Sequence, residues 1–316
     1  MVNSKISPLL DYQYKGPGRR KAYFEGWYFK LNLTDETTLS LIPSLHQQGD
    51  VSYASLQWIL AKGQDVRSFA LTYPSGSFSL TLQPFHLVLG QSYFSETDIR
   101  IQEDELQLSV HFQNLNQYTG DIMGPFRWFH TRMPCSHSLL VISGSAQVTL
   151  ESAQLQGRFK SGLYVEKDWG DTFPQRYIWC QAGFPRQNAA FYFSIATVRV
   201  DHLSFTGFIA NLTLQEKNFT FATWNFSDCK VLGNPADIRI GLARSDVMAA
   251  ARIMPQPGVH LNSPVQGMMD STIFESLSAP LELKIKTLGN SSTFFTERAA
   301  VECHNWYDSI AQPGSK

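Results

Sequence analysis

The strongest constraint on the fold of this chain is a strict alternation of apolar and polar residues. Between Glu105 and Gln113, Leu106, Leu108, Val110 and Phe112 alternate with Gln107, Ser109 and His111. A period of two puts the apolar set on one face of an extended strand. Related segments run from Trp27 to Leu33, Leu39 to Leu45, Phe78 to Leu82, Leu139 to Leu150, Phe191 to Val200, Phe205 to Leu212, Phe219 to Phe226, Leu281 to Leu288 and Thr293 to Cys303. Between them lie turn residues, as in Tyr73-Pro74-Ser75-Gly76 and Gly183-Phe184-Pro185-Arg186. Helical patterning is scarce. Its best stretch, Ala236 to Ala251, also reads as strand, and Pro255 to Gly267 is dense enough in Pro and Gly to read as a loop. Many short strands separated by turns predict closed or sandwiched antiparallel sheets, an all-β class.

At 316 residues the chain is long enough for two domains or one large β architecture. Hydrophobic residues make up 43% and charged ones 17%, which excludes a mostly disordered chain. Aromatics at 13% exceed what sheets ordinarily need and suit an apolar ligand cavity. A net charge of -1 gives no electrostatic reason to expect nucleic acid. The one basic cluster, Arg19-Arg20-Lys21, reads as a solvated loop, with a phosphate or lipid headgroup as the alternative contact. No run approaches the roughly 20 apolar residues a spanning helix needs, and MVNSKISPLL has no signal-like apolar core, so a cytoplasmic location is expected. Cys135, Cys180, Cys229 and Cys303 match no zinc spacing, and the eight histidines form no HxxxH or HxH pair. With no GxGxxG or P-loop either, neither a metal nor a cofactor is expected. Ser136-His137-Ser138 gives only a weak nucleophile–base signal, because adjacent strand residues face opposite ways.

Four segments carry a resemblance. They are Phe24-Glu25-Gly26-Trp27-Tyr28-Phe29-Lys30, Gly124-Pro125-Phe126-Arg127-Trp128, Tyr164-Val165-Glu166-Lys167-Asp168-Trp169-Gly170 and Phe173-Pro174-Gln175-Arg176-Tyr177-Ile178-Trp179-Cys180-Gln181. In this order they resemble the signature stretches of tocopherol cyclase and its bacterial relatives. The likeness covers most of residues 20 to 305. It implies two tandem lipocalin-like antiparallel β-barrels with few short helices, here divided as 1–160 and 161–316. It also implies closure of a prenylated quinol to a chromanol. The aromatic strand at Tyr23–Phe29 has an echo at Phe173–Trp179, which tandem barrels would explain. Plant members usually read Glu-Lys-Asn-Trp-Gly where this chain has Asp168, and Trp-Val-Gln-Cys where it has Trp179-Cys180-Gln181.

If Leu163 to Trp169 is extended, Tyr164, Glu166 and Asp168 share one face while Val165, Lys167 and Trp169 share the other. Two carboxylates so close tend to keep one protonated at neutral pH. A retained proton is what alkene protonation requires, which makes Glu166 and Asp168 the catalytic candidates. Along the later strand, Tyr177, Trp179 and Gln181 share a face. With Tyr164, Trp27 and Trp128 they form a candidate substrate wall, Gln181 orienting a hydroxyl and the rings stabilising a cation. Each has a bland reading beside it. Arg176 is the obvious ion-pair partner for the acidic strand, Glu25 reads better as a buried structural carboxylate, and the Trp residues can serve as core. The expected partner is a hydrophobic small molecule, with transient contact to a membrane surface if that molecule is a lipid; the sequence leaves the oligomeric state open. Beside the cyclase stands a second function, a non-catalytic carrier of a lipid or pigment.

Overall fold

A computed structural model describes residues 12–307, apart from 35, 201 and 216. Nearly all of these lie in strands or in the turns between them. The first sheet contains β1 (Ala22–Asn32), β2 (Thr37–Gln48), β3 (Val51–Lys62), β4 (Asp65–Pro74), β5 (Phe78–Thr81), β6 (His86–Leu89), β7 (Ser92–Ser95), β8 (Asp98–Glu103), β9 (Leu106–Gln117), β10 (Cys135–Glu151) and β11 (Gln156–Gly170). Its order is β4-β3-β2-β1-β11-β10-β9-β8-β7-β6-β5. Each strand pairs with a chain neighbour except at one seam, where β11 returns to β1 with Glu166 opposite Tyr28 and Asp168 opposite Gly26. That return curls an up-and-down meander into a nearly closed barrel.

The second sheet repeats the plan. It holds β12 (Arg176–Phe184), β13 (Ala189–Val200), β14 (Leu203–Leu214), β15 (Lys217–Ala222), β16 (Asp228–Asn234), β17 (Asp237–Arg244), β18 (Val247–Ile253), β19 (Val259–Val265), β20 (Met268–Thr287) and β21 (Ser291–His304). The order is β15-β14-β13-β12-β21-β20-β18-β17-β16, with β19 hydrogen-bonded to β20 off this path. Again the last strand returns to the first, β21 to β12. The two aromatic strands that echo each other in sequence, β1 and β12, therefore hold the same topological position. The sheets change over within 171–175: β11, which the division at 160/161 assigns mainly to the second half, is a central strand of the first.

Two segments differ from the sequence reading, and a third settles an alternative it left open. Ala236 to Ala251 is not helical but forms β17 and β18, where Val247, Ala249, Ala251 and Ile253 point inward in strict alternation. Small alanines packed on a tight barrel wall mimic a helix former's composition while obeying a strand's period. Pro255 to Gly267 contains strand β19, which tolerates Pro264 because it pairs on one side only. The strand from Phe219 stops at Ala222, where the Asn225 side chain accepts the Ala222 N–H at 2.9 Å and starts a 3-10 turn, Thr223–Asn225.

Each barrel has its own apolar interior. Trp27, Phe29, Leu41, Trp58, Phe94 and Val165 belong to the first, and Ile178, Phe191, Phe193, Leu281 and Val301 to the second. A third cluster lies between the barrels, on their facing outer surfaces, and includes Tyr28, Leu139, Tyr164, Tyr177, Trp179, Tyr192 and Leu277. Strand β11 is buried on both faces for this reason: Val165 looks into the barrel and Tyr164 into the seam.

Candidate functional site

The seam holds a cavity of about 180 Å³. Its wall is mostly apolar, with Phe24, Met123, Phe126, Trp179, Phe205 and Ile273 from both halves of the chain, and into it project Glu166, Asp168, His137 and Glu302. The period of two in β11 puts Tyr164, Glu166 and Asp168 on the seam face. Register then supplies a partner, since His137 on β10 lies directly opposite Asp168. Just beyond it β10 is bulged between Leu139 and Gly144, the kind of irregularity that re-aims a strand next to a site.

His137 Nδ1 bonds Asp168 Oδ1 at 2.8 Å. Its Nε2 is buried without a hydrogen-bond partner, 3.6 Å from Glu166 Oε2, and its ring stacks on Tyr192 at 4.9 Å. Glu166 Oε2 accepts the Tyr164 hydroxyl and the Trp179 indole N–H, the latter at 3.1 Å. Burial pushes the Glu166 carboxyl up; the His137 charge opposes this and Asp168 adds to it, so Glu166 holds a proton at neutral pH. Burial alone would lower His137, but its neighbours, the Asp168 carboxylate first among them, outweigh it and make the imidazole a stronger base than usual.

A second carboxyl pair stands across the seam. Glu275 and Glu302 are opposite one another on β20 and β21. Tyr28 donates its hydroxyl to Glu275, and Tyr177 donates to Glu302 at 2.6 Å. Both carboxyls are raised to about 8, chiefly by burial, with Glu302 the second cause for Glu275. Lys30 lies on the same seam face of β1. Its Nζ donates to the Gln181 side chain at 2.9 Å and to the Arg298 carbonyl at 2.6 Å, and burial lowers it to about 7.

The structure brings together Glu166, Asp168, Tyr164, Tyr177 and Trp179, and sets Gln181 behind them on Lys30. It does not bring in the rest. Trp27 borders the cavity, but its indole is fully buried in the first barrel against Phe85, donating to the Tyr12 carbonyl at 3.0 Å. Glu25 is the structural carboxylate of the bland reading. It is fully buried, paired with Lys167 at 3.1 Å, and accepts Tyr23 OH at 2.6 Å and the Lys15 N–H at 2.9 Å. Arg176 does not reach the acidic strand; it donates to the carbonyls of Asn305 and Trp306. Trp128 is 71% exposed, because its 3-10 turn, Gly124–Phe129, points Phe126 rather than Trp128 inward.

Sequence reasoning missed Glu275 and Glu302, and it weighed His137 only as a weak base beside Ser136 and Ser138; none of the three sits in a spaced motif. The available signal was a histidine two residues inside a long strand beginning at Cys135. His137, Glu166 and Asp168 have donor atoms within 4.8 Å of one another, close enough to consider a cation. One imidazole offers a given ion only one nitrogen, and here Nδ1 is on Asp168 while Nε2 faces Glu166. Within the group only the Asp168 side is hydrogen-bonded to the imidazole; Nε2 is left open toward Glu166.

No family model and no curated protein matches the chain. Solved structures do. CghA, solved with Sch210972, aligns with a TM-score of 0.62 at 9% identity over 90% of this chain and 89% of its own. A candidate AttH, NE1406 from Nitrosomonas europaea, gives 0.57 at 10% over 95% and 98%. Kievitone hydratase from Nectria haematococca gives 0.55 at 9% over 92% and 90%. At such identities the likeness establishes the fold, a lipocalin-like double barrel found in a hydratase among others, and assigns no substrate. Among the described residues no helix is long and apolar enough to cross a membrane.

Proposed function

We propose that this protein is an enzyme of the cyclase or hydratase kind, which protonates an alkene of an apolar substrate in the seam cavity and directs a hydroxyl to the resulting cation. One observation carries the reading: a buried His137–Asp168 pair whose unpartnered Nε2 faces a proton-holding Glu166 in an apolar cavity. Tyr164 and Trp179 occupy Glu166 Oε2, leaving Oε1 to carry the proton. That proton passes to one alkene carbon. The hydroxyl oxygen bonds to the other carbon, and the hydroxyl proton passes to His137 Nε2, which Asp168 keeps oriented and basic. Return of a proton from His137 to the Glu166 carboxylate, whose Oε2 stands 3.6 Å from Nε2, restores a neutral acid and a neutral imidazole. Atoms balance as an isomerisation when the hydroxyl belongs to the substrate and as a hydration when it is water. The rings of Trp179, Tyr28 and Tyr177 stabilise the cation by roughly 0.5 to 2 kcal/mol each and keep stray water out.

The resemblance to tocopherol cyclases makes a prenylated quinol the first substrate to try, with Glu302 and Tyr177 as a second polar anchor for its ring hydroxyl. Purified protein incubated with a panel of prenylated quinols and other alkenyl phenols, followed by mass and chiral chromatography, tests this. A single product enantiomer of unchanged mass, or of mass raised by one water, is expected. Full activity in His137→Ala or Glu166→Gln would sink the assignment. A stoichiometric, chemically unchanged ligand in solvent extracts, with no turnover of any panel member, would point to a carrier instead.

A further inference from the structure

The segment that lines one side of the cavity also presents a surface the chemistry does not use. Met123, Phe126 and Met133 line the cavity, and between them Arg127, Trp128, Phe129, His130, Thr131 and Arg132 are all exposed. Trp128 is 71% and Phe129 50% exposed, and being adjacent they form a contiguous apolar patch. Nothing on the segment from 122 to 133 carries a negative charge. Its neighbours add positive charge. Arg20 donates to the His130 and Met133 carbonyls, the latter at 2.8 Å, and this brings exposed Arg19 and Lys21 alongside. Among the carboxylates nearby, Asp171 is paired with Arg20 at 3.5 Å, Asp121 accepts the Met123 N–H at 2.8 Å, and Asp50 follows Gly49, whose N–H bonds the Lys21 carbonyl.

The segment is held rather than loose. Gly124 has φ +53°, and a Cβ there would stand 2.5 Å from the Trp224 ring, so the indole packs flat against it and donates to the Ile122 carbonyl at 3.2 Å. Phe126 stacks on Phe205 at 5.8 Å. Trp128 and Phe129 are thus presented outward from a fixed base. An exposed Trp–Phe pair flanked by Arg is the composition that settles at a lipid headgroup boundary, rings in the acyl edge and guanidinium groups on phosphates.

We propose that residues 127–132, with Arg19 and Lys21, dock this protein on an anionic lipid surface and set the cavity mouth against it, so that an apolar ligand passes between bilayer and cavity without crossing water. The inference rests on the cavity taking an apolar ligand but on no particular reaction. Its test is therefore free of turnover: co-sedimentation of the full chain with vesicles of phosphatidylcholine alone, or of phosphatidylcholine with phosphatidylglycerol. Binding to the anionic vesicles, weakened by salt and much weaker on phosphatidylcholine alone, is expected. Arg127→Gln/Arg132→Gln should lower the partition coefficient roughly 25-fold, at about five-fold per arginine. Trp128→Ser/Phe129→Ser should lower it at least ten-fold. Both variants should unfold at the wild-type temperature, their side chains being exposed. No binding to anionic vesicles overturns the proposal, as does binding that neither variant weakens. Tighter binding to heparin or RNA, indifferent to Trp128→Ser/Phe129→Ser, would assign the patch to a soluble polyanion and also overturn it.

Discussion

Strand β11 buries charge on both faces, and the two faces treat it in opposite ways. Toward the first barrel, Lys167 and Glu25 form an ion pair at 3.1 Å, both fully buried, with Tyr23, the Lys15 N–H and the Gln13 carbonyl taking up further valences. Toward the seam, one imidazole faces two carboxyls, its Nε2 has no partner, and the group opens on a cavity. The first cluster is balanced and sealed, as a structural ion pair must be if it is not to destabilise the fold. The second is unbalanced and accessible, and its proton affinities are moved by its neighbours. Alternation along five residues, Tyr164 to Asp168, separates a plug from a reactive centre.

If that contrast is right, the seam face should govern chemistry and the barrel face stability. Glu166→Gln keeps shape and hydrogen-bonding capacity but removes the acid, so turnover of whichever panel substrate is converted should fall about 10²- to 10⁴-fold. Unfolding in urea should move by no more than about 1 kcal/mol, because the neutral amide replaces a group already neutral at pH 7. A Gln variant that unfolds easily would erase the distinction.

Next in size is the barrel face. Lys167→Met leaves the Glu25 charge buried without its cation, and a loss of about 3 to 5 kcal/mol in urea unfolding is expected. Combining it with Glu25→Gln should recover part of that loss, since removing both charges is cheaper than stranding one. Additive losses in the double variant would show that the pair is not a pair.

The contrast also explains what was legible in the sequence. Period two disclosed the strands, and it placed Tyr164, Glu166 and Asp168 on one face and Tyr177 and Trp179 on another; the Trp179 indole bonds Glu166 just as those faces require. Glu25 was legible as structural because a carboxylate between aromatics on a buried strand needs backbone donors. His137 was not, because it reaches Asp168 only through the β10–β11 register, which depends on the residues of both strands and on the bulges beyond. Glu275 and Glu302 lie more than a hundred residues further on and join the seam only when β21 returns to β12. Trp128 failed for a local reason: a 3-10 turn, not a strand, decides which of its aromatics points inward.

A smaller effect sharpens the seam's internal electrostatics. Asp168→Asn removes the chief group that raises His137 against burial, so the imidazole should titrate lower than in the wild type. The ring-proton resonances of His137 followed by NMR against pH would report this. An unmoved titration would mean that Asp168 orients the ring without tuning it.

A last comparison separates the two carboxyls across the seam. Glu275 is fully buried and raised to about 8 by burial first and by Glu302 second. A carboxyl raised in the folded state binds its proton more tightly there than when unfolded. Its contribution is therefore complete below the unfolded value, about 4.5, and is lost as pH climbs through about 8. The protein should accordingly lose stability from pH 5 to pH 8, by at most about 1.4 kcal/mol per pH unit for each such group. Glu275→Gln should flatten that slope by no more than this. Glu302→Gln should flatten it less, because Glu302 borders the cavity and solvent screens it. Urea midpoints for wild type and both variants across that range supply the comparison. A slope that Glu302→Gln removes more completely than Glu275→Gln would mean that the cavity, not the sealed strand, holds the proton.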